Sequence, residues 1–218
     1  MKVSIYKKFN AVTPSQEINV FKVLESIKDG TYAESIKKVR FLIHDKPARD
    51  EEKKKLPLVG FGGTFSTRGN SNLIQHSGLA CLDFDHLHNI LETIEKINKD
   101  KYTLSSFISP SGDGLKVLVK IPLVSNDSDY KSFYTELQKH YNQYGETDEA
   151  TKDIARATFL TYDPNLFVNT ESDLFTDRFI PKEIIIEQPK IRVSDMDEIS
   201  KRLITWFNKK WTTGTNRN

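Results

Sequence analysis

Val3 and Ile5 alternate with Lys2, Ser4 and Tyr6, which predicts a short first strand. Apolar positions then return at helical intervals at Ile18, Phe21, Val23, Leu24 and Ile27. Ser15-Gln16-Glu17 ahead of them predicts the helix start, and Asp29-Gly30 its end. A second helix is expected from Ala33 to about Leu42, followed by the charged stretch 45–55. Leu56 to Phe65 reads as strand and glycine-rich bend, where Gly60, Gly62 and Gly63 permit either a bulge or a close backbone approach.

From residue 79 the pattern sharpens. Leu79-Ala80-Cys81-Leu82 is an apolar run that reads as a buried strand, continuing into Asp83-Phe84-Asp85. Leu87, Ile90, Leu91, Ile94 and Ile97 mark an amphipathic helix, Leu104 to Ser109 a strand, and Ser111-Gly112-Asp113-Gly114 a turn. Leu115 to Ile121 is the next strand. Tyr130, Phe133, Tyr134, Leu137, Tyr141 and Tyr144 line a helix, and Ala157 to Tyr162 forms a last strand. The order is β-α-β-β-α-β, a split βαβ or ferredoxin-like arrangement in an α+β protein. In that topology the strand from Leu79 is central, between the Lys116 strand and the strand entered through Arg156. Alternation puts Val117, Val119 and Ile121 on the helix-covered face and Lys116, Leu118 and Lys120 on an open one. Beyond residue 182, Ile184-Ile185-Ile186 suggests a further strand. Asp195-Met196-Asp197 then caps a helix through Ile199, Leu203, Ile204 and Phe207, which reads as the start of another domain.

Composition narrows the class. The 218 residues suit one large domain, or one domain and an appendage, and 13 Phe and 8 Tyr supply a core. A net charge of +2 means that any basic surface is local. Lys and Arg do concentrate between residues 37 and 55, where a solvated helix face is the plainer reading. Cys81 is the single cysteine, which excludes a disulfide framework within the chain. No apolar run approaches the ~20 residues of a membrane span, and Met1 to Tyr6 lacks a signal-peptide core. These features predict a soluble, cytoplasmic protein with no membrane partner.

Candidate chemistry lies in three groups around the central strand. Asp83 and Asp85, two apart on a strand, project to one side; carboxylates that close repel unless a cation or proton lies between them. Either a divalent-metal site or an acidic turn fits that pair. Ser109, Ser111 and Gly112 belong to a small-residue turn whose amides suit phosphate oxygens, with Lys116 to neutralise charge. Asp148 precedes Arg156 by eight residues in the third group, with Asp153 a competing acid. His76 reads as structural. Together the groups suit two-metal phosphoryl transfer: Asp83, Asp85 and Asp148 as ligands of Mg²⁺ or Mn²⁺, and Lys116 and Arg156 on nucleotide phosphates.

These stretches resemble the archaeo-eukaryotic primase (primase-polymerase) superfamily. The likeness is nearest to the VirE N-terminal-like primase domains of Bacteroidetes and mobile elements. It rests on Arg68, His76-Ser77-Gly78-Leu79, Leu82-Asp83-Phe84-Asp85, Ser109 to Val117, Asp148, Lys152 to Phe159 and Tyr162-Asp163-Pro164-Asn165, across roughly residues 55–170. The resemblance implies an RRM-like catalytic sheet packed against an N-terminal αβ module. Residues 1–181 would form the catalytic domain, divided at 78/79, and 182–218 a linker and the start of a helical domain. It implies a DNA primase-polymerase acting on single-stranded DNA with NTPs or dNTPs, alongside a fused or associated helicase. Arg68 matches a nucleotide or template contact. Lys116 departs from the superfamily, which usually has a nucleotide-binding His there; lysine neutralises phosphate but shuttles no proton near neutral pH unless its pKa falls. Two rival classes follow: a non-catalytic single-stranded nucleic-acid-binding module with this fold, and a metal-dependent nuclease using the same acids.

Overall fold

The computed structural model describes residues 1–85, 87–148, 152–180 and 193–212. Met1–Ile180 form one compact unit and Pro181–Asn218 a second. The first unit is α+β, with strands in two four-stranded sheets and a small two-stranded one.

The N-terminal sheet is built on β1 (Lys2–Tyr6), which pairs antiparallel with β2 (Gln16–Asn19) and β3 (Leu58–Gly60). The expected helix start at Ser15 is therefore corrected. Gln16 to Asn19 spend their backbone groups on β1, with Lys2 opposite Asn19 and Ile5 opposite Gln16. Helix α1 (Val20–Lys28) begins only afterwards, where the Asn19 side chain accepts a hydrogen bond from the Phe21 N–H. Its stripe Val20, Val23, Leu24 and Ile27 is buried against β1 and β3. Helices α2 (Ala33–Phe41) and α3 (Lys46–Lys54) follow, the latter buried nowhere along its length, as a solvated charged stretch should be.

Beyond β4 (Gly63–Phe65) and β5 (Leu73–His76) comes the second large sheet. Its strands are β6 (Leu79–Phe84), β7 (Thr103–Ile108), β8 (Leu115–Lys120) and β10 (Phe167–Val168), in the order β10-β7-β8-β6. Helix α4 (Ile90–Ile97) connects β6 to β7, and β8 lies between them, antiparallel to both. Helix α5 (Asp127–Tyr141) covers one face, where Tyr130, Phe133, Tyr134, Leu137 and Tyr141 meet Leu82, Phe84, Val117 and Val119.

Two expectations fail here. The strand at 157–162 does not flank β6. Only Thr158–Phe159 is extended, as β9, and it pairs with Leu58 and Val59 of β3. Among the described residues, the outer edge of β6 carries a single bridge, Phe84 to Thr147. Nor is the second face of the sheet open: Leu79, Leu104, Phe107 and Leu118 pack there in one core with Val3, Val59 and α1. Both differences have one cause. The N-terminal sheet buries its apolar face on this one, and β9 leaves β6 to complete it.

In the second unit, α6 (Val193–Thr212) exposes Met196, Ile199, Leu203 and Phe207. It starts two residues ahead of the expected cap. The strand expected at Ile184-Ile185-Ile186 lies outside the described residues. No helix among the described residues is long and apolar enough to cross a membrane.

Candidate functional site between the two sheets

Strand alternation delivers the first two acids. Ala80, Leu82 and Phe84 face the α5 core, which turns Cys81, Asp83 and Asp85 to the other side. The third acid arrives through the backbone: the Asp148 N–H donates to the Asp83 carbonyl (2.9 Å), beside the Phe84–Thr147 bridge. Asp83, Asp85 and Asp148 each offer a carboxylate oxygen within 4.8 Å of the other two. Asp153, the competing acid, lines the same cleft but lies outside that cluster. It pairs with Lys131 (2.8 Å), which also binds Asp127 (2.6 Å).

Lys116 stands directly across the ladder from Asp83 and forms an ion pair with it. It is 8 % exposed, buried rather than displayed on an open face. Burial, reinforced by Lys53 and Arg156, pulls its ammonium down to about 8. The pair uses Asp83 Oδ2, while Asp83 Oδ1 is buried and accepts no hydrogen bond. An unsatisfied buried carboxylate oxygen beside two more carboxylates is costly and is relieved by a cation. The residues present thus fit a divalent ion with oxygen ligands.

The small-residue turn closes tightly. Ser109 N–H donates to the Gly114 carbonyl (2.8 Å) and Gly112 N–H to the Ser109 carbonyl (3.0 Å), so those two amides serve the turn itself. Gly112 has φ +86°, a left-handed conformation that glycine adopts without strain. At Gly114 a Cβ would meet the Phe84 carbonyl oxygen at 2.6 Å, so only glycine lets the turn lie against the acidic strand. Arg40, from α2, braces this turn from behind, its guanidinium donating to the carbonyls of Ser109 (3.2 Å) and Tyr162 (3.0 Å). Asp163 adds a second brace, accepting from the Ile108 N–H (2.8 Å). The Tyr162-Asp163-Pro164-Asn165 stretch therefore supports the turn from outside the cleft.

A cleft of about 560 Å³ gathers these groups. The three acids, Ser109, Ser111 and Lys116 line it, and so do Arg68 and Arg156. Gly112 does not; it faces Arg40. Phe9, Lys53 and Phe159 also line the cleft, and the sequence marked none of them as site residues. Phe9 is a lone aromatic in a polar loop, Lys53 sits in a charge run that reads as surface, and Phe159 reads as ordinary strand core. His76 takes no part. Its Nδ1 accepts from the Gly78 and Val124 N–H groups (both 3.3 Å), and burial pushes it down to about 4.

Two sheets with a carboxylate cluster and basic side chains in the cleft between them define an α+β protein with a candidate ion- and phosphate-binding site. Residues 51–167 match the BT4734-like family's N-terminal domain, a stretch that runs from within α3 to the first residue of β10 and includes every acid of the cleft, and the chain belongs to that family. No curated protein and no solved structure matches the chain.

Proposed function

We propose that this cleft is a nucleotidyl-transfer site and that the protein is a DNA primase-polymerase, synthesising and extending primers on single-stranded DNA. One observation carries the reading: three carboxylates converge around an unsatisfied buried oxygen, in a cleft whose other walls carry Lys116, Arg156 and Arg68. The split β-α-β order of β6, α4, β7 and β8, packed on an N-terminal αβ layer, supports an RRM-like catalytic sheet.

Asp83, Asp85 and Asp148 would hold Mg²⁺ or Mn²⁺. The bound ions supply activation of the attacking hydroxyl and stabilisation of the leaving oxygen. The chain does the rest. Lys116 exchanges its Asp83 partner for phosphate oxygens of the incoming NTP or dNTP, which frees Asp83 as a ligand. Arg156 at the rim neutralises the outer phosphates. The Ser109 and Ser111 hydroxyls orient the triphosphate, and Arg68 meets nucleotide or template. Local concentration of basic groups explains how a chain of net charge +2 would bind a polyanion. A helicase partner and a cytoplasmic setting belong to the same reading.

The test is a gel assay on unprimed single-stranded DNA with NTPs and dNTPs under Mg²⁺ or Mn²⁺. New primers and their elongation are expected, and Asp83→Ala with Asp85→Ala should abolish both. Normal synthesis by that double variant, or strand shortening in place of extension, overturns the assignment. The Lys116–Asp83 ion pair favours one alternative, a non-catalytic single-strand-binding module, because it answers the Asp83 charge with a protein group in place of a metal. Metal-independent binding without incorporation would establish that second reading.

A further inference from the structure

Phe9 lies in the loop between β1 and β2, in the polar run Lys7-Lys8-Phe9-Asn10. The aromatic there belongs to no strand or helix of its own, and it is 47 % exposed. Yet it is held in place. Its N–H donates to the Lys54 carbonyl (3.2 Å), and its ring stacks on Phe159 with centroids 6.0 Å apart and planes 20° from parallel. Cations lie over both rings: the Arg68 guanidinium 5.8 Å from the Tyr6 centroid and 5.9 Å from that of Phe9, and the Lys53 ammonium 5.9 Å from that of Phe159. Phe9, Phe159, Arg68 and Lys53 all line the same cleft as the acids.

The two rings stand too close for a flat group to slip between them, so the free stacking surface is the exposed part of Phe9. A fixed, half-exposed ring flanked by two cations matches a ligand with a flat aromatic part and adjacent negative charge. A nucleobase with its phosphate has that chemistry, and base–aromatic stacking tolerates any base because each has a π-face. Arg68 contributes twice, by cation–π contact with the ring and by charge toward the phosphate.

We propose that Phe9, backed by Phe159 and flanked by Arg68 and Lys53, is a stacking platform for a nucleobase-phosphate unit at the mouth of the cleft. It rests on the reading of the cleft as a nucleotide site, and it adds a residue from outside the stretch that matches the family, which begins at residue 51. The unit belongs either to a single strand threading the cleft or to the free nucleotide.

The experiment measures binding of a labelled oligothymidylate by fluorescence anisotropy, and of dTTP by calorimetry, both with EDTA present at low salt. Phe9→Leu keeps apolar volume and removes the ring. It is expected to weaken binding roughly 5- to 100-fold with an unchanged melting temperature, while Phe9→Trp restores it. Weakening confined to the oligonucleotide assigns the platform to the strand, and weakening of dTTP assigns it to the nucleotide. Arg68→Gln should flatten the salt dependence of oligonucleotide binding by about 0.7 in log–log slope. Wild-type affinity of Phe9→Leu in both arms, or no binding by the wild type, overturns the proposal. Because EDTA removes divalent ions, this outcome is independent of the incorporation assay. Phe9-dependent binding without synthesis would sink the catalytic reading alone, and synthesis with Phe9-independent binding would sink the platform alone.

Discussion

Two carboxylates on the second sheet are largely buried, and their surroundings differ. Asp100, between α4 and β7, is fully matched. Its Oδ1 accepts the Tyr102 N–H (2.9 Å), and its Oδ2 accepts the Tyr144 hydroxyl (2.9 Å) and the His140 Nε2–H (2.6 Å). Tyr102, His140 and Phe175 close around it edge to face. Asp83 has one cation on one oxygen, nothing on the other, and two more carboxylates for neighbours. Burial is common to both; satisfaction is not. A buried acid with every lone pair answered by a donor fixes a structure, whereas one left short of donors beside like charges is a candidate binding site.

The largest expected contrast is in chemistry. Asp85→Asn removes one of the three clustered carboxylates and should lower nucleotide incorporation about a thousand-fold, the several kcal/mol typical of a lost metal ligand. The proposed metal site also predicts that Mg²⁺ or Mn²⁺ should stabilise the wild type by about 2.7 kcal/mol at a hundred times the dissociation constant, raising its melting temperature, and that Asp85→Asn should abolish this rise. Asp100→Asn should leave that metal-dependent rise intact. A cation response that survives Asp85→Asn would erase the distinction between the clusters.

The next effect runs the other way. Asp100→Ala strands the Tyr144 hydroxyl, the His140 ring and the Tyr102 N–H, and should destabilise the fold by about 3 kcal/mol in chemical denaturation. Asp85→Ala, at an exposed position that relieves repulsion, should be neutral or mildly stabilising without metal. The Tyr144 hydroxyl, pushed up to about 12 by burial and Asp100, stays protonated throughout.

His76 sharpens the rule, because its Nε2 is buried and unpartnered yet belongs to no site. What differs is charge: neutral imidazole tolerates this, with its ring edge-on to Tyr130 at 5.9 Å. Unfolded His takes its proton near 6.5, and folded His76 only near 4. The unfolded chain therefore binds more protons between those values. Stability due to His76 is complete above pH 6.5 and falls by up to about 3 kcal/mol as pH drops through 4. Denaturation midpoints between pH 7 and 4 should show this slope, and His76→Asn, which keeps an acceptor for Gly78 and Val124, should flatten it.

These contrasts explain what could be read from the chain. Apolar runs mark β6, β7 and β8, which bury both faces, helical periodicity marks α4 and α5, which pack an apolar stripe, and the Asp83/Asp85 pair follows from alternation alone. The β1–β3 region was less legible. Its strands are two to five residues long, and β1 buries Ser4 and Tyr6 as well as Val3 and Ile5, so alternation there does not report which face is covered. Gln16 to Asn19 carry no strand signal; pairing with β1 imposes it. In the cleft, the acids and Lys116 announce themselves by motif. Phe9, Lys53 and Phe159 do not, since what recruits each is the approach of a distant segment.

The smallest expected effect falls on Asp153, and it decides between two acids that spacing alone leaves open. Asp153 lines the same cleft as Asp148, but Lys131 already answers its charge, with the guanidinium of Arg156 adding to the pull that lowers its carboxyl. The pair is roughly half exposed, with side-chain exposures of 37 and 47 %, so its loss should cost no more than about 0.5 kcal/mol. Asp153→Asn should therefore change incorporation less than three-fold and leave the metal-dependent melting shift in place, while Asp148→Asn should match Asp85→Asn in both. The Asp148 position depends on a backbone bond to Asp83, which the side-chain exchange leaves intact, so lost activity in Asp148→Asn would reflect the carboxylate and not the loop. If the two substitutions exchanged effects, Asp153 would be the working third acid despite its pairing with Lys131, and the convergence of Asp148 with Asp83 and Asp85 would carry no chemistry.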